Sequence, residues 1–189
     1  ADALALVQRN VPLFADLTTL QLREFMLDSE VLAPKKGDVI FRKDDYTNSF
    51  FSIVDGEVAI DVPDKGGKLQ TLTLKRGQFF GELGLISGRR RSSTVRAGEN
   101  CVLIETPRRS MLKLIASIES VRRQIDETSL RRAVRSQVAK WISEADLDEM
   151  IADATFKTFA AGETLFNEGD TPDGLHLIRR GSVIVLRQF

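Results

Sequence analysis

The chemistry of this chain concentrates in one segment, Phe80-Gly81-Glu82-Leu83-Gly84-Leu85-Ile86-Ser87-Gly88-Arg89-Arg90-Arg91-Ser92-Ser93-Thr94-Val95. Gly81 and Glu82 open a short apolar stretch, Leu83 to Ile86, whose pattern predicts one turn of helix. The first N–H groups of a helix have no internal acceptor and favour an anion. Nine residues after Glu82 comes Arg91, then Ser92 and Ser93. An arginine offers a rigid fork of donors that fits a phosphate, and a serine hydroxyl with nearby backbone N–H groups can supplement it. Glu82 can accept from a sugar hydroxyl, as a carboxylate does for ribose in dinucleotide folds. Helix start, arginine and carboxylate together suit a phosphorylated ribose.

Other chemistry is thin. The sequence shows no nucleophile paired with a base, so no residue is assigned a catalytic role and the chain is not read as an enzyme. Cys101 and His176, the single cysteine and the single histidine, cannot make a cysteine/histidine metal cage. No metal and no cofactor are expected. A lone cysteine also excludes an internal disulfide framework and fits a reducing, cytoplasmic setting.

The elements that must position the segment follow from periodicity. Residues 2–9 and 17–26 predict two short helices. Val39 to Phe41, Phe50 to Val54 and Val58 to Val62 are β-rich runs, split by glycine and aspartate turns. Gly66-Gly67 predicts a hairpin turn into the alternating run Gln70 to Leu74. Cys101 to Ile104 is a further apolar strand. Many short strands with polar turns predict a small barrel or jelly-roll-like β-structure. Thr106-Pro107 reads as a helix N-cap followed by proline at the first helical position. Apolar residues at 111, 114, 115, 118, 121 and 125 then form one helical stripe. The stripe slips phase near Thr128-Ser129 and a new one runs through 130, 133, 134, 138 and 141. Two helices, or one bent at Thr128, are expected.

Length and charge set the frame. The chain has 189 residues, 27 basic and 27 acidic groups, and 42% hydrophobic residues, an ordinary composition for a folded chain. No apolar run approaches a membrane span, so membrane insertion is not expected. Zero net charge argues against binding nucleic acid by bulk electrostatics. The basic run Arg122 to Arg135 is interrupted by Asp126 and Glu127, which weakens that reading further.

Self-comparison reveals an internal repeat. Offset by 125, residues 17–60 align without a gap to 142–185. Leu22 meets Leu147, Gly37 meets Gly162, Phe41 meets Phe166, Ile53 meets Ile178, and Gly56 meets Gly181. So long a period indicates a duplicated domain, and the second copy is read as incomplete, reaching Phe189, the counterpart of residue 64. With no methionine at position 1, the chain is read as a fragment of a longer protein. The expected organisation is a domain over 1–127, a helical connector over 128–140, and the N-terminal part of a second domain over 141–189.

The segment from Phe80 to Val95 closely resembles the phosphate-binding cassette of cyclic nucleotide-binding domains. That family's pattern is Phe-Gly-Glu-Leu, Gly or Ala, Leu, a spacer, then Arg, two small residues, a variable one and Val. Gly37 to Phe41 and Phe50 to Val58 resemble the family's early strands. One departure is Asp44, where the family often has glycine; it is expected to change a turn and not the pocket. The resemblance implies an α+β fold, an antiparallel β-roll of about eight strands flanked by helices, with a truncated second copy. It implies that Glu82 takes the ribose 2′-hydroxyl and that Arg91 pairs with the cyclic phosphate. Gly81, Leu83, Gly84, Ser92 and Ser93 complete the cradle. It further implies a regulatory ligand, cAMP favoured over cGMP, and an effector domain or protein outside this sequence, controlled through the helices after the barrel. Tandem copies resemble kinase regulatory subunits and bacterial multidomain proteins. A ligand-free scaffold of the same fold and a cAMP-responsive transcription regulator are the alternatives.

Plainer readings stand beside these. Glu82 and Arg91 could form only a structural salt bridge. Arg89 and Arg90 read as solvated turn charges, not ligands. Trp141 reads as a core or interdomain anchor more than a cap on the base. His176, aligned with Phe51, reads as packed in a strand, and Cys101 as a small core residue.

Overall fold

Local signals start the first helices where the sequence supplies caps. A computed structural model describes residues 3–63, 68–88 and 90–186. Helix α1 covers Ala3–Asn10, and a 3-10 turn at Pro12–Phe14 leads to α2, Thr19–Leu27. Thr18 caps α2 through a reciprocal pair: its hydroxyl accepts from Gln21 N, and the Gln21 side chain accepts from Thr18 N.

Eight strands follow: β1 Glu30–Leu32, β2 Val39–Phe41, β3 Phe50–Asp55, β4 Glu57–Pro63, β5 Leu69–Lys75, β6 Phe79–Phe80, β7 Val95–Ala97 and β8 Val102–Thr106. They form two antiparallel four-stranded sheets, ordered β1-β8-β3-β6 and β2-β7-β4-β5. This is the expected β-roll, though the two sheets do not close into one barrel. The turn expected at Gly66-Gly67 lies outside the described residues.

The first sheet separates two cores. Successive side chains of a strand point to opposite faces. Phe50, Phe79 and Ile104 therefore join α1, α2 and the later helices in one cluster. Their neighbours Phe51, Phe80 and Leu103 fill the inside of the roll with Phe41, Val58 and Val95. Each such side chain contributes roughly 1.5–3 kcal/mol by leaving water. Cys101 lies in the inner cluster, as the sequence predicts.

Helix α3 spans Glu82–Ser87, α4 Arg108–Ser117 and α5 Glu119–Ala133. Two expectations fail here. Thr106 does not cap α4: it is the last residue of β8, opposite Phe50, and its hydroxyl lies 3.0 Å from that of Ser29. Pro107 takes the cap position without a side-chain hydrogen bond. The break between helices falls at Ile118, which is extended at φ −122° and ψ 110°, not at Thr128. The later phase slip is absorbed by a π-helical turn at Val134–Val138, where five residues per hydrogen-bonded step shift the apolar stripe.

The chain divides into two units, 1–129 and 130–189. In the second, α6 covers Glu144–Ala152, the positions of α2 offset by 125. Ser143 caps it through its hydroxyl, which accepts from Asp146 N, without the reciprocal bond that Gln21 returns to Thr18. Local turns recur at the same offset. Asp45 carboxylate accepts from Arg42 N at 2.7 Å, and Asp170 carboxylate accepts from Asn167 N at 2.7 Å. Gly37 and Gly162 are both left-handed, at φ +90° and +82°. Strands do not recur: among the described residues after Ala152 there is none, against the expected start of a second roll. In the first unit β1–β4 take every partner from β5–β8. Phe166 is 61% exposed where Phe41 is 7%, and Ile178 42% where Ile53 is 0%.

Candidate functional site

Two stacked rings set the floor of the site. Phe51 on β3 and Phe80 at the end of β6 are parallel within 5°, with centroids 4.9 Å apart. Gly81 follows in the left-handed region at φ +88° and turns the chain into α3. A side chain there would meet Arg91 Nη1 at 2.8 Å and Ser49 O at 2.9 Å, so glycine is required by both angle and space. Glu82 and Gly84 on α3 are buried, and Leu83 is half-buried.

Arg91 is the other half of the site. Its backbone is stitched to the loop between β2 and β3: Asp44 N donates to Arg91 O at 2.9 Å, and Arg91 N donates to Asp45 O at 3.0 Å. Thr94 extends the seam, its hydroxyl accepting from Lys43 N at 3.0 Å. Arg91 is only 3% exposed, and its guanidinium lies 4.1 Å from the centroid of the Phe41 ring. Nε donates to Thr47 Oγ1 at 2.8 Å and Nη2 to Ser49 O at 2.7 Å. Nη1 donates to Gly81 O at 3.5 Å, a weak contact.

All three acceptors are neutral. Among the described residues Arg91 makes no ion pair, so the plainer reading of a Glu82–Arg91 salt bridge does not hold. Burial pushes its guanidinium below the ordinary arginine value, and the fields of Glu105, Asp45 and Glu82 pull the other way. It stays charged, as arginine does. A buried charge without an opposite partner is costly, and this one sits beside the first turn of α3.

The site residues fall as follows. Gly81 and Arg91 are in contact, with Glu82, Leu83 and Gly84 on α3 next to Gly81. Ser92 is exposed and Ser93 half-buried, on the bend after Arg91. Sequence reasoning missed Thr47, Ser49 and the rings of Phe41 and Phe51 around the guanidinium. No periodic signal links Thr47 to Arg91; only the folded seam does. Asp44 is also closer to the site than expected, because its own N–H holds Arg91. It adopts φ +69°, a conformation aspartate tolerates better than most residues.

Other expectations change. Arg90 is exposed but engaged: it donates to Asp44 O at 3.0 Å and lies 5.5 Å from the Tyr46 ring centroid. Arg89 lies outside the described residues. Trp141 is 60% exposed and belongs to no core, because it sits on a turn after the π-helical segment. His176 is not packed in a strand, since no ladder forms around it. It lies 3.1 Å from Asp173, whose carboxyl it holds below the usual range, and stacks on Phe166.

Comparison with known proteins agrees with this geometry. The model of the family "cyclic nucleotide-binding domain" matches residues 33–118. A cGMP-dependent protein kinase of Plasmodium berghei is 31% identical over 80% of this chain and 17% of its own. The type II regulatory subunit of a Drosophila melanogaster cAMP-dependent protein kinase is 24% identical over 94% of this chain and 45% of its own. The chain thus spans less than half of either relative. Among solved structures, the Thermus thermophilus catabolite activator protein superposes with a TM-score of 0.55 at 26% identity, over 75% of this chain and 62% of that one. No helix among the described residues is long and apolar enough to cross a membrane. The matched segment holds the entire run from Phe80 to Val95, and residues 33–118 are similar to a cyclic nucleotide-binding domain.

Proposed function

We propose that this chain is a regulatory module, not an enzyme, whose first unit binds a 3′,5′-cyclic nucleotide and signals through the helices after the roll. The carrying observation is the buried Arg91 guanidinium, which has neutral protein acceptors and no ion pair among the described residues. A cyclic phosphate supplies the missing negative charge. Buried Glu82 is the acceptor for the ribose hydroxyl, and Gly81, Leu83, Gly84, Ser92 and Ser93 form the cradle around the phosphate. We favour cAMP over cGMP. The relatives include both a cGMP-dependent kinase and a subunit of a cAMP-dependent one.

Output runs through α4. Arg108, at its first turn, donates from Nε to Leu85 O on α3 at 3.0 Å. Leu85 also packs in the same cluster as Met111, Leu114, Val121 and Ile125. A ligand that moves α3 therefore pulls on α4 and α5 through one hydrogen bond and one packed core. It shifts them only by its difference in affinity for the two arrangements. The effector is a domain or protein outside this sequence. The recurrence of helix, caps and turns at an offset of 125 supports a second domain of the same kind beginning near residue 141.

Calorimetric titration with cAMP and cGMP tests the reading. One saturable site per chain is expected, with the heat largely lost in Arg91→Ala. Well-folded protein that binds neither nucleotide, or an Arg91→Ala variant that binds as tightly as wild type, would overturn it.

A further inference from the structure

Arginine carries five N–H donors in two usable forks, a side edge formed by Nε and one Nη, and an end formed by the two Nη groups. Around Arg91 the side edge is taken by a single loop. Thr47 Oγ1 accepts from Nε at 2.8 Å, and Ser49 O, two residues on, accepts from Nη2 at 2.7 Å. The face of the guanidinium is covered by the Phe41 ring at 4.1 Å. With side and face held, the end fork is what remains for an anion, and Nη1 already leans toward Gly81 at the start of α3.

Of these contacts, only one is made by a polar side chain. Ser49 and Gly81 contribute carbonyl oxygens that any residue there would supply. Thr47 contributes a hydroxyl, and it does so from an exposed position whose replacement does not disturb either core. The carboxylate of Asp45, in the same loop, accepts from Arg42 N at 2.7 Å.

We propose that Thr47 is a positioning residue for phosphate recognition: its hydroxyl fixes the rotation of the Arg91 guanidinium so that the end fork faces α3. This rests on the reading of Arg91 as the phosphate ligand. Threonine to valine is nearly isosteric and removes the acceptor. The Nε–H then loses its partner, and the guanidinium is free to turn its side edge toward the ligand or toward water.

The test compares wild type, Thr47→Val and Thr47→Ser. Calorimetric titration with cAMP is expected to show about tenfold weaker binding for Thr47→Val, the range for loss of one charge-assisted hydrogen bond. Thr47→Ser, which keeps the hydroxyl, is expected to bind like wild type. The second readout needs no nucleotide. The Arg91 Nε–H resonance, assigned by its loss in Arg91→Lys, is expected to exchange slowly with solvent in wild type and Thr47→Ser, and rapidly in Thr47→Val. Undiminished affinity in Thr47→Val, an equal loss in Thr47→Ser, or a protected Nε–H in Thr47→Val overturns the proposal. If wild type binds neither nucleotide, the reading of Arg91 fails on its own, and the exchange comparison still decides whether Thr47 holds the guanidinium.

Discussion

Gly81→Ala probes the junction between the aromatic floor and Arg91. Two costs are added, and they can be separated. The first is conformational: Gly81 sits at φ +88°, and an L-residue in the left-handed region costs roughly 1–2 kcal/mol. The second is steric: the new Cβ would stand 2.8 Å from Arg91 Nη1 and 2.9 Å from Ser49 O. Comfortable contact begins near about 3.5 Å, so something must give by several tenths of an ångström. Ser49 O is backbone beside β3 and is the stiffer neighbour. Arg91 therefore yields, and its end fork is pushed off position. Gly88→Ala is the internal control, because Gly88 is left-handed at φ +65° with nothing within 4 Å of its added Cβ. In urea unfolding both variants lose stability, Gly88→Ala by roughly 1 kcal/mol and Gly81→Ala by roughly 2–3 kcal/mol. In calorimetric titration only Gly81→Ala loses affinity for cyclic nucleotide, by about tenfold or more, the effect of weakening one charged hydrogen bond. Equal affinities for the two variants would refute the argument that Gly81 is glycine for the sake of Arg91.

Two further predictions rest on separate features. Arg108→Met keeps the aliphatic packing of the stem but removes the bond to Leu85 O; nucleotide affinity should change less than threefold, while nucleotide-induced changes in amide exchange of α4 disappear. Cys101 is buried, and burial pushes its thiol pKa up. The unfolded chain then loses its proton first as pH rises, so the stability due to the neutral buried thiol is fully present below about pH 8.5 and is lost above it. Cys101→Ala should flatten the decline in urea midpoint between pH 8 and 10.

The candidate site stands out in the sequence because its proposed residues are neighbours there. Gly81, Glu82 and Arg91 fall within one short run, and the residue types alone point to a phosphorylated sugar. What surrounds Arg91 was not legible, because Thr47 and Ser49 meet it through a seam between two distant stretches of backbone. The same division runs through the fold. Residues 144–152 repeat α2 together with its cap, because a helix and its cap satisfy themselves locally. Phe166 and Ile178 carry the pattern of β2 and β3 yet form no strand, because a strand is defined by partners that its own pattern does not supply. Thr106 misled for a related reason: its type fits a cap, but a distant hydroxyl on Ser29 and the pairing with Phe50 claim it for β8.

The pairing order also governs how the roll is born. As the nascent chain leaves the ribosome, β1 to β4 emerge with no possible ladder among them. The β4–β5 hairpin is the first pair that can close. Glu30 must wait for Glu105, and Val39 for Arg96, before either finds its partner. Until Val102–Thr106 is synthesised, β1 has no neighbour and β3 can pair only with the two residues of β6, leaving Phe50 and Phe51 open to chaperones and proteases. Such non-local closure is slow compared with helix formation. The last strand therefore closes the first sheet, and a ribosome stalled before it holds a chain that can complete the β2-β7-β4-β5 sheet but only the β3–β6 pair of the other.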